Sequence, residues 1–159
     1  MKTIPTTIGP RLTQLLFDYV FTWGGEEEAA ITLGDAMSVI KTGKHLPDIP
    51  KDLRASSKVV KDVRELIREV RSRHPEAALT LHRAAPSYLS KGPGIASWTK
   101  DPGLAEEWLE APTSSGVGAR RQLLTRNIPT EDILADPEIT MRYSPDEPPD
   151  TEYIVWEGA

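Results

Sequence analysis

The sequence predicts an α+β fold in which helices come first and short strands follow. Three observations carry that expectation. Apolar residues recur every three or four positions between 12 and 70, the period of amphipathic helices. After His74-Pro75 the period shortens to that of strands, in short apolar runs bounded by Pro, Gly, Ser and Asp. With 159 residues, 38% hydrophobic and 27% charged, the chain has room for one compact domain with a core of ordinary size. The reading is a single domain over 1–159, with a helical portion at 1–75 packed on a split, mostly antiparallel β-rich core at 76–159.

The first helix is predicted over 12–23, where Leu12, Leu15, Leu16, Tyr19, Val20 and Trp23 share one face and Gly24-Gly25 ends it. A second is predicted over 26–41. Three glutamates in its first turn suit the positive end of the helix dipole, Ala29, Ala30, Leu33, Met37 and Ile40 form its apolar stripe, and Gly43 stops it. Residues 44–52 read as a loop because they carry two prolines. A third helix opens after Ser56 or Ser57 and runs to Arg73 on the stripe Val59, Val63, Leu66, Ile67 and Val70.

Strands follow. Residues 78–83 form a short apolar run that delivers Arg83 at its end, and the two-residue period sends His82 and Arg83 to opposite faces. A second strand ends in Ser97 and Thr99, and a helix begins at once with Asp101 as N-cap and Pro102 at its first position. Residues 111–118 read as a loop and 121–128 as a strand. Residues 129–135 read as one helical turn capped by Thr130, and 138–143 as a strand. Residues 144–151, with three prolines and three acids, are a loop before a last strand over 152–156.

Composition excludes several classes of function. There is no cysteine, so neither disulfides nor cysteine-ligated zinc enter. The histidines at 45, 74 and 82 lack metal-ligand spacing, and no metal is expected. No apolar run has the length of a signal peptide core or a membrane span, so a cytoplasmic location without membrane partners is the expectation. The net charge of −5 is unevenly spread: 51–74 carries eight Lys/Arg against four acids, and 130–159 carries one Arg against nine acids. Acids at 62, 65 and 69 interleave with the bases at helical spacing, which reads as a solvated face rather than a nucleic-acid surface. The nucleophile elbow, the phosphate-binding Gly-rich loop and the dinucleotide fingerprint are all missing.

What remains is a set of polar groups at strand ends: Arg83, then Ser97 and Thr99 beside a helix start, then Glu152 after a Pro-rich loop. Taken singly, each has a bland reading as a surface ion pair, a turn bracket or a solvated acid. Together, the segments Leu81-His82-Arg83, Ala96-Ser97-Trp98-Thr99-Lys100-Asp101-Pro102, Pro129-Thr130-Glu131-Asp132-Ile133-Leu134-Ala135 and Asp150-Thr151-Glu152-Tyr153-Ile154-Val155 follow one order over the last half of the chain. In that order the chain resembles the mono-ADP-ribosyltransferase fold, specifically its Arg–Ser–Glu class.

The resemblance implies an activity and roles. The activity is transfer of ADP-ribose from NAD to a macromolecular acceptor, more readily protein than nucleic acid, as in bacterial or phage effectors. Glu152 would be the catalytic carboxylate, Ser97 its orienter and Arg83 the anchor of the dinucleotide. Thr99 would support the wall, and Trp98 or Tyr88 would cover the nicotinamide ring. Asp150 would face the acceptor; it stands where arginine-modifying members carry Glu or Gln, which makes arginine a doubtful acceptor here. Cleaving the ribose–nicotinamide bond develops positive charge on the sugar, so a carboxylate beside it is the chemistry the reaction needs. NAD hydrolysis, with water as acceptor, and a non-enzymatic binding module that retains the fold stay open.

Overall fold

The computed structural model describes residues 7–21, 26–86, 94–103, 105, 106, 121–142 and 152–157. Three helices lead, α1 (Pro10–Phe21), α2 (Glu26–Thr42) and α3 (Ser57–Arg73). Then come β1 (Ala78–Pro86), β2 (Ile95–Thr99), β3 (Arg121–Pro129), β4 (Ile133–Ala135), a short helix α4 (Pro137–Arg142) and β5 (Glu152–Trp156). The strands form one five-stranded sheet in the order β3-β1-β2-β5-β4, and every pairing is antiparallel. The fold is therefore mixed α and β, as expected. The described strands make a single sheet, and no split is seen among them.

The helical stripes become core. Leu12, Leu15, Leu16 and Tyr19 of α1, Leu33 and Met37 of α2, and Val59, Val63, Leu66 and Val70 of α3 are all buried. They join Leu81, Trp98, Ile133, Ile154 and Val155 in one cluster that runs from the first helix to the last strand. Ser56 is the N-cap of α3, accepting the Val59 N–H at 3.2 Å, and this settles the choice between the two serines. Gly43 ends α2 at φ +78, where its N–H reaches the Val39 carbonyl at 2.9 Å.

Two expectations near the C-terminus are overturned. Residues 133–135 are a strand, not part of a helical turn, and only Thr130–Asp132 form a 3-10 turn before it. Thr130 does not cap that turn; its hydroxyl donates to the carbonyls of Glu76 and Ala77, tying the turn to the segment ahead of β1. Of the strand predicted at 138–143, residues 138–142 belong instead to the helix α4, and Tyr143 lies outside the described residues. Its cause is local: Asp136 accepts the Ile139 N–H at 3.1 Å and Pro137 fills the first helical position.

Asp136 also closes a buried ionic cluster. Arg73, at the end of α3, donates to both Asp136 oxygens at 2.7 Å and ion-pairs with Glu69 at 2.5 Å. Arg142 reaches Glu69 from α4 with two bonds of 3.2 and 3.0 Å. Burial alone would push the Asp136 carboxyl up, but the Arg73 guanidinium and the Ile139 N–H hold it below its ordinary value. Burial would likewise lower the Arg73 guanidinium, and its bonds to Asp136 and Glu69 raise it instead. The acids of α3 are thus not all solvated, as their spacing suggests. Asp62 and Glu69 are buried, Asp62 accepting the Gly9 N–H at 2.9 Å.

Candidate active site

Strand register decides which of the polar side chains meet. Thr99 stands opposite Glu152 of β5 on one side and opposite His82 of β1 on the other. Side chains alternate along a strand and directly opposed residues share a face. His82, Thr99, Glu152 and, two positions along β2, Ser97 therefore share one face of the sheet. Arg83 and Trp98 lie on the other.

The contacts agree. The Ser97 hydroxyl donates to Glu152 Oε1 in a short hydrogen bond. Tyr19 of α1 stands with its hydroxyl 2.9 Å from the same Ser97 oxygen. An ionised carboxylate only accepts, so the single Ser97 proton goes to Glu152 and Tyr19 is the donor to Ser97. The result is a relay, Tyr19 to Ser97 to Glu152, that joins the first helix to the first residue of the last strand. From behind, the Thr140 hydroxyl of α4 donates to the Glu152 carbonyl at 3.2 Å, so backbone and carboxylate are both held.

The other predicted residues take different places. Thr99 is fully buried, and its hydroxyl accepts the Asp101 N–H at 3.1 Å. Asp101 in turn accepts the Gly103 N–H at 2.9 Å, as an N-cap does. Trp98 is buried, and its indole N–H donates to Glu157 at 2.8 Å on the face away from Ser97. Arg83 Nη1 lies 2.6 Å from each oxygen of that same Glu157. The structure brings Ser97 and Glu152 together and does not bring Arg83 to them. Tyr88 and Asp150 lie outside the described residues.

Two residues of the site were not read from the sequence. Tyr19 sits in the apolar stripe of α1 and is buried with it, so periodicity marks it as core and says nothing of its hydroxyl. His82 was seen, but only register shows that it shares the Glu152 face. Its Nδ1 lies 2.9 Å from the Thr125 hydroxyl of β3, and the ring is half-buried.

No family model, curated protein or solved structure matches the chain. Among the described residues no group of three or more His or acidic side chains is placed to hold a metal ion, and no helix is long and apolar enough to cross a membrane.

Proposed function

We propose that the protein transfers ADP-ribose from NAD to a macromolecular acceptor and releases nicotinamide. One observation carries this reading: a strand-opening glutamate whose carboxylate is held by a neighbouring strand's serine, itself held by a tyrosine. A carboxylate fixed in this way is preorganised for a positive charge that develops only as a bond breaks, which is where electrostatic catalysis is most effective.

In the reaction, the bond from ribose C1′ to the nicotinamide nitrogen breaks and its electron pair neutralises the pyridinium. The charge left on the sugar is stabilised by Glu152. The acceptor then bonds to C1′ and loses its proton. By the resemblance noted above, Glu152 takes a hydrogen bond from the ribose 2′-hydroxyl. Ser97 and Tyr19 keep its rotamer, and His82 offers a second polar group on the same face. No metal is part of this chemistry as proposed.

A second reading draws support from Arg83. With its guanidinium on Glu157 and away from Glu152, the chain would fit a binding module that keeps the fold without the reaction. Nicotinamide release separates the two. Incubated with NAD and a bacterial lysate, the protein should release nicotinamide, and Glu152→Gln should stop it. Release that is absent from the wild-type protein, together with no thermal stabilisation by NAD, would favour the binding module.

A further inference from the structure

We infer that the outward face of α3 is a docking surface for the phosphate backbone of duplex nucleic acid. This surface is separate from the Glu152 site and does not depend on the function proposed for it. Sequence spacing alone makes α3 a helix of mixed charge, but the fold sorts that charge. Asp62 and Glu69 turn inward, where Gly9, Lys58, Arg73 and Arg142 occupy them. The exposed residues of α3 are then Lys58, Lys61, Arg64, Arg68, Arg71 and two serines, with no acid among them. Glu65 is half-exposed and paired with Arg68 at 3.0 Å.

At 3.6 residues per turn, Lys61, Arg64, Arg68 and Arg71 fall within an arc of about 80° and extend over about 15 Å, with Lys58 at the rim. Lys61, Arg64 and Arg71 have no ion-pair or hydrogen-bond partner among the described residues. This row has the chemistry of a backbone contact. Duplex nucleic acid presents a phosphate charge roughly every 1.7 Å of its axis, so each cation of the row has a phosphate within reach.

Other partners fit less well. A stable protein interface needs buried apolar or aromatic anchors, and the exposed face of α3 has none. Single strands are held by aromatic stacking as well as charge, and that too is missing here. Phosphate contacts position a protein on nucleic acid without reading sequence, so binding is expected to be weak, non-specific and strongly salt-dependent.

Fluorescence anisotropy of a labelled duplex of about 20 base pairs, titrated with the full chain between about 20 and 200 mM salt, tests this. The wild-type protein should bind at low salt, with log affinity falling against log salt at a slope of about −4, near 0.9 per cation engaged. Lys61→Gln, Arg64→Gln and Arg71→Gln combined should make that slope shallower by about 2.7 while leaving the thermal transition in place. Lys44→Gln, exposed and off α3, should leave binding unchanged. Absence of binding at the lowest salt, or equal slopes for wild type and triple variant, would overturn the inference. So would displacement of the duplex by poly-glutamate as effective as by an equal charge of unlabelled duplex, which would assign the face to an acidic protein.

Discussion

Tyr19 and Ser97 are 78 residues apart in the chain and 2.9 Å apart at their hydroxyls. That contact makes α1 part of the Glu152 site rather than a helix packed beside it. Because Ser97 gives its only proton to Glu152, the two hydroxyls act in series, and each has a separable effect.

Tyr19→Phe removes the donor to Ser97 while keeping the buried ring. Stability should fall by about 0.5–1.5 kcal/mol, the net worth of one hydrogen bond. Ser97 keeps its bond to Glu152 but loses the donor that fixes its oxygen from the other side, so nicotinamide release should lose several-fold in kcat with little change in the KM for NAD. Ser97→Ala should cost more in kcat than Tyr19→Phe. Steady-state kinetics on the two variants checks the order, and a KM effect without a kcat effect would break the relay account.

The cluster around Arg73 binds α3 to α4, and Thr140 of α4 holds the Glu152 carbonyl. Arg73→Met would leave Asp136 buried without its main partner and take one of two guanidinium partners from Glu69. Removing one side of such a pair costs about 3–5 kcal/mol, so urea unfolding should show the largest loss of any variant named here. A loss below about 1 kcal/mol would mean that the cluster is solvated in solution.

Two groups set opposite limbs of the pH dependence of stability. Asp136 is held below its ordinary value of 3.8, so the stability it contributes is complete above that value and is lost as pH falls below it. Tyr153 is pushed up to about 12 from 10.0, first by burial and then by the charges of Asp136 and Glu76. The unfolded chain therefore loses that proton first, and stability should fall as pH rises from 10 to 12. Asp136→Asn should flatten the acid limb and Tyr153→Phe the alkaline one, as read from unfolding midpoints across pH.

Arg83 tests how the sheet faces divide. Its guanidinium is held by Glu157, which also accepts from Trp98. Arg83→Ala and Glu157→Gln should both lower the melting temperature, and both should leave the KM for NAD within about twofold. A rise in KM of about tenfold or more for Arg83→Ala alone would return Arg83 to the dinucleotide.

Much of this architecture was legible in the sequence, and the misses have physical causes. The helices α1, α2 and α3 were readable because their buried faces repeat at the helical period. The strands β1, β2, β3 and β5 were readable from short apolar runs between turn residues. Helix α4 was missed although Asp136-Pro137 carries the same start signal as Asp101-Pro102; six residues are too few to show a period. The inward turn of Asp62 and Glu69 had a faint signal, since their seven-residue spacing runs alongside Val59 and Leu66. Ser97 and Glu152 were visible as strand-end polar residues. The Tyr19 bond to Ser97 was not, because a hydroxyl at the edge of an apolar stripe looks like any other core tyrosine until the helix is placed over the sheet.

Transfer of ADP-ribose dependent on Glu152 is tested by the fate of NAD labelled in its adenylate half. Purified wild-type protein and Glu152→Gln are incubated with that NAD and a bacterial lysate, and label is counted on protein and nucleic acid separately while free nicotinamide is followed. Wild-type protein should give nicotinamide release matched by label on a macromolecule, and Glu152→Gln should give neither. Nicotinamide release without macromolecular label would make the protein a hydrolase of NAD, and label that survives Glu152→Gln would contradict the assignment of the carboxylate.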